Sequence, residues 1–248
     1  MTRHINSVVV LGLGKVGYLV GLLLHETGFT VTGGDVNLPP SSPFSCRTID
    51  ISANNSSLND ILNAHDAVIS CLPYHFNPVV ARCAASSGVH YFDLTEYVEI
   101  TKEKKTQSRN SSSVMAPKCG LAPGFVGFVG ASLASRFDRI RSIRLGVGAL
   151  PKHPTGMLGY AFNWSPEGVV NEYLNDCEVI ENGVRKWVSP LEWLEKIVID
   201  GVQLEAFTTS GGLGTMCETY EGLVENLDYK SIRYTGLSLI HISEPTRP

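Results

Sequence analysis

A short apolar run, a G-x-G-x-x-G turn and a helical stretch follow one another near the start of the chain, and few folds accept that succession. Val8, Val9, Val10 and Leu11 form an unbroken β-branched and aliphatic run, as suits a strand buried on both faces. Gly12, Gly14 and Gly17 come next, and Lys15 to Thr27 read as a helix. The first glycine permits a tight turn, the second lets a pyrophosphate approach the backbone at the helix N-terminus, and the third lets helix and strand pack closely. A second strand, Thr30-Val31-Thr32, ends in Gly33-Gly34-Asp35, with Asp35 18 residues beyond Gly17. An acidic side chain there accepts hydrogen bonds from an adenosine ribose. The pattern predicts a dinucleotide held by Gly12, Leu13, Gly14, Lys15, Val16, Gly17 and Asp35. A carboxylate suits a free ribose 2′-hydroxyl and repels a 2′-phosphate, so NAD is expected over NADP, with Gly33 and Gly34 leaving room for the ribose. A glycine-rich turn that binds nothing is the competing reading, against which the surrounding strands, helix and acid weigh.

The first half keeps alternating between strand-like and helix-like stretches. A Pro- and Ser-rich loop, 37–45, is expected near the adenine end of the dinucleotide. Arg47–Ile51 reads as a third strand, Ser57 as the cap of a short helix to Asn63, and Ala67–Leu72 as another buried strand. That strand runs into Cys71, Leu72 and Pro73, placed at the cofactor crevice, and then Tyr74 and His75. Asn77 and Pro78 read as the N-cap and first turn of the next helix, and Val89–Thr95 as a fifth strand whose polar residues emerge near its end. A charged, Ser-rich helix and loop, 96–113, lead to Val114–Cys119. Such alternation means a doubly wound, Rossmann-type α/β sheet. From Gly120 the character changes. A helix from Phe125 to Phe137 is expected to pack under the first domain. Ile140–Val147 alternates like a half-buried strand, and Asn182-Gly183 and Asp200-Gly201 signal hairpins. These predict a second α+β domain on an antiparallel or mixed sheet. The boundaries are 1–123 for the cofactor domain, 124–236 for an incomplete substrate or dimerisation domain, and 237–248 for a tail.

Composition excludes several classes. A net charge of −4, 43% apolar and 18% charged residues leave no basic footprint for nucleic acid or an anionic membrane. No apolar run reaches the length of a membrane span, and no signal peptide precedes the first strand, so a cytoplasmic protein is expected. The six cysteines include no C-x-x-C pair and are read as free thiols, several of them buried, with no metal bound. Short-chain dehydrogenase chemistry is disfavoured because no Y-x-x-x-K occurs. A phosphate-loop nucleotidase is disfavoured because Val16, without a hydroxyl for magnesium, follows Lys15.

Together these segments resemble the saccharopine dehydrogenase-like superfamily, most closely its lysine 6-dehydrogenase branch. The resemblance rests on Gly120–Gly124 (GLAPG), Gly148–Pro151 (GALP), Leu158–Pro166 (LGYAFNWSP), Glu205–Gly212 (EAFTTSGG) and Ile232–Gly236 (IRYTG). Saccharopine reductases carry an aspartate where this chain has Ala122. The resemblance implies NAD-dependent oxidative deamination of L-lysine at its ε-carbon: hydride leaves the carbon, water attacks the imine, and ammonia departs to leave a semialdehyde that cyclises. The amine must first lose a proton, for which Asp93 is the first candidate and His75 the second. Asp93 as a turn residue and His75 as a pocket-lining residue are the alternatives. The resemblance makes Arg233 the partner of the substrate's α-carboxylate, with a structural salt bridge between the domains as the alternative. Ser210, Gly211 and Gly212 are candidate donors to the same group or a plain turn, and Tyr160 and Trp164 candidate walls for the methylene chain or core residues. Saccharopine dehydrogenase or reductase activity, and a non-catalytic NAD-binding module or inactive fragment, remain alternative functions. A homo-oligomer is expected at full length. Residues 237–248 resemble a translated sequencing adaptor and are expected to be an artefactual or disordered tail.

Overall fold

The computed structural model describes residues 4–52, 55–94, 113–156, 159–161 and 166–237. The chain divides into two compact units, Met1–Gly120 and Leu121–Pro248.

In the first unit β1 (Ser7–Leu11), α1 (Lys15–Glu26), β2 (Thr30–Asp35), β3 (Ser45–Thr48), α2 (Asn55–Asn63), β4 (Ala67–Ser70), a 3-10 turn (Tyr74–Phe76), α3 (Asn77–Ser87), β5 (His90–Asp93) and β6 (Met115–Ala116) follow in order. The six strands lie in the order β3-β2-β1-β4-β5-β6 with every neighbouring pair parallel. That is the doubly wound order, and its direction reverses between β1 and β4, where such sheets bind ligands. Successive strand residues point to opposite faces, and the runs of valine serve both. Val9, Leu11, Val68 and Tyr91 pack with Leu58, Ile61 and Leu62 of α2 and Val80, Ala81 and Ala84 of α3. Val8, Val10, Val31 and Ala67 pack with Phe44 and with Leu24 of α1. Each fully buried valine, leucine or isoleucine among them contributes roughly 1.5–3 kcal/mol.

The local expectations are corrected in four places. The third strand is Ser45–Thr48, and Ile49 beyond it turns into the core. Helix α2 already includes Asn55, so Ser57 lies inside it and not at its N-cap. Asn77 is the first residue of α3, after Phe76 at the N-cap. Its buried side chain instead accepts a hydrogen bond from Ser70 Oγ at 2.6 Å. β5 stops at Asp93, which is wholly buried and does not emerge. The Pro- and Ser-rich loop folds back through Phe44, whose ring fills the space over Gly21 of α1. The expected helix within 96–113 lies almost wholly outside the described residues.

The second unit holds α4 (Phe125–Ala134), β7 (Ser142–Gly148), α5 (Pro166–Leu174), β8 (Cys177–Glu181), β9 (Val184–Val188), β10 (Glu195–Ile199), β11 (Val202–Thr208), α6 (Met216–Tyr220) and β12 (Asn226–Tyr234). β12 is its axis, antiparallel to β11 and β8 and parallel to β7, so the sheet is mixed. Asn182-Gly183 joins Glu181 to Val184, and Asp200-Gly201 joins Ile199 to Val202, as two-residue hairpins. Both turn residues have positive φ in each, +53° and +79°, then +50° and +79°, the type I′ geometry that matches strand twist. Helix α4 ends at Ala134, short of Phe137, and packs on β7, with Gly130 against Leu145. Leu237 is buried, so the expected tail is not loose at its first residue, and 238–248 lie outside the described residues. Among the described residues no helix is long and apolar enough to cross a membrane, and no His, Cys, Asp and Glu cluster could hold a metal.

Candidate functional site

The three glycines of the first loop differ in what a side chain would meet. A Cβ on Gly12 would lie 2.9 Å from the Cys71 carbonyl, and one on Gly17 would lie 1.8 Å from the Gly12 carbonyl oxygen. Gly14 has nothing within 4 Å of that position and stands at the N-cap of α1 with no side-chain cap. Two glycines are thus explained by packing, while the third leaves open space beside a helix N-terminus. The first N–H groups of any helix lack intrahelical partners and carry partial positive charge. A pyrophosphate fits this cradle. Lys15 and Val16 are exposed in the first turn of α1, and Cys71 and Leu72, after β4, lie against Gly12, with Pro73 next in the chain.

Asp35 has other tasks as well. Its Oδ2 accepts the Leu13 N–H at 2.5 Å and its Oδ1 the Asn37 N–H at 2.9 Å, tying the glycine loop to the end of β2. Gly33 and Gly34 do not leave room for a ribose: Leu13 and Phe44 fill the space over the first, Leu11 and Ile49 that over the second.

Asp93 ends β5 in full burial, and Tyr91 donates its phenolic hydrogen to Asp93 Oδ2 at 2.5 Å. Burial first, then the Asp93 charge, pushes the Cys71 thiol up to about 11 and raises the Cys119 thiol and the Tyr91 phenol. Burial, with Asp93 adding to it, thus keeps all three groups protonated. His75 stands exposed in the 3-10 turn, its ring centroid 4.2 Å from that of Phe76.

In the second unit the sequence candidates separate. Arg233 of β12 is 4% exposed. Its Nε donates to the Tyr173 hydroxyl at 3.1 Å, one terminal nitrogen to the Ile232 carbonyl at 2.9 Å, and the other lies 3.8 Å from Glu172 Oε2. Tyr160 lies with its ring centroid 4.9 Å from the guanidinium. This ion pair lies within the unit, with Glu172 of α5. Burial outweighs the attraction of Arg233 and brings the Glu172 carboxyl up to about 7. Ser210 is turned to another use: its N–H donates to the Glu172 carbonyl at 3.0 Å and its Oγ to the Asn171 carbonyl at 3.2 Å. Gly212 is accounted for by the Tyr229 ring, 2.3 Å from where its Cβ would stand. Trp164 lies outside the described residues.

Two family models divide the sequence at the same point. The saccharopine dehydrogenase NADP binding domain matches residues 8–118, and the saccharopine dehydrogenase C-terminal domain matches residues 120–242. The chain belongs to the saccharopine dehydrogenase-like superfamily. The second match continues past Gly236, into the stretch whose sequence resembles an adaptor. A mitochondrial alpha-aminoadipic semialdehyde synthase of Rattus norvegicus is 26% identical over 191 residues, 72% of this chain and 21% of that protein. The saccharopine dehydrogenase [NADP(+), L-glutamate-forming] of Schizosaccharomyces pombe is 24% identical over 144 residues, 55% of this chain and 32% of the relative. Apo saccharopine dehydrogenase (L-Glu forming) from Saccharomyces cerevisiae superposes with a TM-score of 0.74 at 21% identity, covering 94% of this chain and 56% of that one. At that identity the likeness speaks for the fold. The chain spans about a fifth to a third of these two curated relatives.

Within this superfamily fold, sequence reading missed Glu172, Tyr173, Tyr91 and Cys119. Tyr91 was within reach of it, because residues two apart on a strand share a face and Asp93 was already a candidate. Glu172 had no such signal: it is 61 positions from Arg233, on an element whose placement only the folded sheet determines.

Proposed function

We propose that the chain is the nucleotide- and substrate-binding part of a pyridine-nucleotide-dependent oxidoreductase acting at the CH–N carbon that ends a lysine side chain. The observation that carries it is the glycine loop, where Gly14 alone has open space beside an uncapped helix N-terminus at the reversal point of a parallel sheet. A bound nicotinamide supplies the hydride acceptor. The backbone of Gly12–Gly17 holds the pyrophosphate, and Cys71, Leu72 and Pro73 line the crevice. Asp93 accepts the proton that the amine must lose, with Tyr91 steadying its carboxylate; His75, on the exposed turn, is the alternative acceptor. Arg233 takes the α-carboxylate.

Free L-lysine is the substrate favoured by Ala122 in GLAPG, and water then releases ammonia from the imine. Saccharopine is the second reading, favoured by the names of the relatives. Both share the lysine head group. NADP is the nucleotide favoured by the family match. Arg47, exposed on β3 and in register with Gly34, supports that choice, and Asp35, already engaged by Leu13 and Asn37, opposes it less than a free carboxylate would. The test is formation of reduced nucleotide from lysine and from saccharopine, each with NAD and with NADP. Turnover of lysine with ammonia release supports the deaminase; turnover of saccharopine alone assigns the second reading; turnover of neither removes both.

A further inference from the structure

Arg233 and Glu172 form an uneven pair. Buried opposite charges in proteins are held in close, often bidentate contact, because desolvation penalises anything looser. Here both side chains are buried, yet the guanidinium and carboxylate are 3.8 Å apart. The cation is fixed from other sides, by the Tyr173 hydroxyl, the Ile232 carbonyl and the Tyr160 ring. The anion is fixed through its backbone: Ser210 clamps the Asn171 and Glu172 carbonyls and so anchors this turn of α5 to the strand-end turn after β11. Tyr173, which meets Arg233, also packs on Phe207, a second contact between the element carrying Glu172 and β11. A fixed cation beside a fixed anion, walled by aromatic rings, matches the charge pattern of an α-amino acid head group.

We propose that Glu172 binds the substrate's α-ammonium while Arg233 binds its α-carboxylate, so that the site selects zwitterionic amino acids over simple amines and simple acids. This rests on the functional reading above and names the residue that sets its substrate class. An ammonium within hydrogen-bond reach stabilises the ionised carboxylate, which burial alone disfavours. Glu205 stands opposite Arg233 in the register of β11 and β12.

The test uses the full chain with its nucleotide and three ligands: L-lysine, 6-aminohexanoate, which lacks the α-amine, and cadaverine, which keeps that amine but lacks the α-carboxylate. Competition binding is read alongside turnover. The wild type is expected to favour lysine over 6-aminohexanoate by about 10- to 100-fold. Glu172→Gln is expected to remove that preference by weakening lysine while leaving 6-aminohexanoate within about 2-fold. Glu172→Asp, which keeps the charge, is expected to restore part of it. Equal losses for both ligands would mean that Glu172 only steadies Arg233, and an absent wild-type preference would overturn the proposal without any variant. A wild type that binds none of the three but turns over saccharopine moves the same comparison to saccharopine and its analogue lacking the lysyl α-amine. There, a preference lost in Glu172→Gln supports the assignment, and equal losses or no wild-type preference overturn it. A wild type that binds no amino acid at all removes the functional reading, and this assignment with it.

Discussion

Gly14 and Gly17 stand three residues apart and answer to opposite requirements. Alanine at Gly17 would drive its Cβ into the Gly12 carbonyl oxygen, and backbone cannot give way as a flexible side chain does. Gly17→Ala is expected to destabilise the protein by about 3 kcal/mol, the upper end of overpacking effects. Gly14 has φ −63° and ψ −170°, which alanine adopts without strain, and empty space around it. Gly14→Ala is therefore expected to change the stability of the free protein by less than about 1 kcal/mol, the gain from a stiffer unfolded chain offsetting a poorer N-cap. It should nevertheless weaken nucleotide binding at least about 10-fold, because the new methyl group occupies the approach of the pyrophosphate. Urea unfolding without ligand, paired with fluorescence titration of reduced nucleotide, separates the two effects. Equal nucleotide affinity in Gly14→Ala and wild type would mean that no pyrophosphate lies against that residue. Glu172 carries a second expectation at this scale. Its carboxyl ionises near its ordinary value of 4.5 when unfolded and at about 7 when folded. Between those values the folded protein keeps a proton that the unfolded chain has lost, so this group's contribution to stability falls as pH rises through the window. Glu172→Gln, which cannot titrate, should gain on the wild type by at most about 1.4 kcal/mol per pH unit there, and level off above it. Parallel unfolding curves from pH 4 to 8 measure the difference, and a flat one would mean that the attraction of Arg233 offsets burial and leaves the folded carboxyl at its ordinary value.

Among the elements, those governed by neighbours in sequence were legible and those governed by distant packing were not. Asn182-Gly183 and Asp200-Gly201 turn as expected because only residues tolerant of positive φ can close a two-residue hairpin. The valine run of β1 was legible because its alternate residues feed two separate cores, beneath α1 and beneath α2 and α3. Strand ends were less so. Arg47–Ile51 looks as β-prone as Ser45–Thr48, and the choice falls to pairing with β2, where Thr32 meets Ser45 and Asp35 meets Thr48. Asn77 resembles an N-cap by residue type, yet the buried hydroxyl of Ser70 needs an acceptor and claims its side chain. The same division runs through the candidate site. The glycine loop is contiguous and could be read directly. The Arg233 cluster gathers residues from 160, 172, 173 and 233, and Ser210 changed meaning because its donors satisfy the carbonyls of a helix far away in sequence.

At the scale of the whole chain, each unit has its own core: the valine-lined parallel sheet in the first, and Ile143, Ile180, Leu227 and Tyr229 under α4 and α6 in the second. The two proposed ligand contacts are divided likewise: Gly12–Gly17 lie before Gly120, and the Arg233–Glu172 pair after it. Binding stabilises whatever must stay folded for the ligand to remain bound, by about 2.7 kcal/mol at a free concentration one hundred times the dissociation constant. Amides that exchange only when the binding unit opens should then slow by about 100-fold. Hydrogen exchange on the full chain is expected to show this in two parts. Nucleotide alone should protect β1, the loop to Gly17 and the first turn of α1, with the stronger of NAD and NADP identified by the depth of protection. Lysine should deepen protection in α5 and at the Arg233 end of β12. Nucleotide protection confined to residues after Gly120, with the glycine loop unchanged, would take the phosphate site away from Gly12–Gly17. Lysine protection that leaves α5 untouched would take the head-group site away from Glu172, whatever the activity assays report.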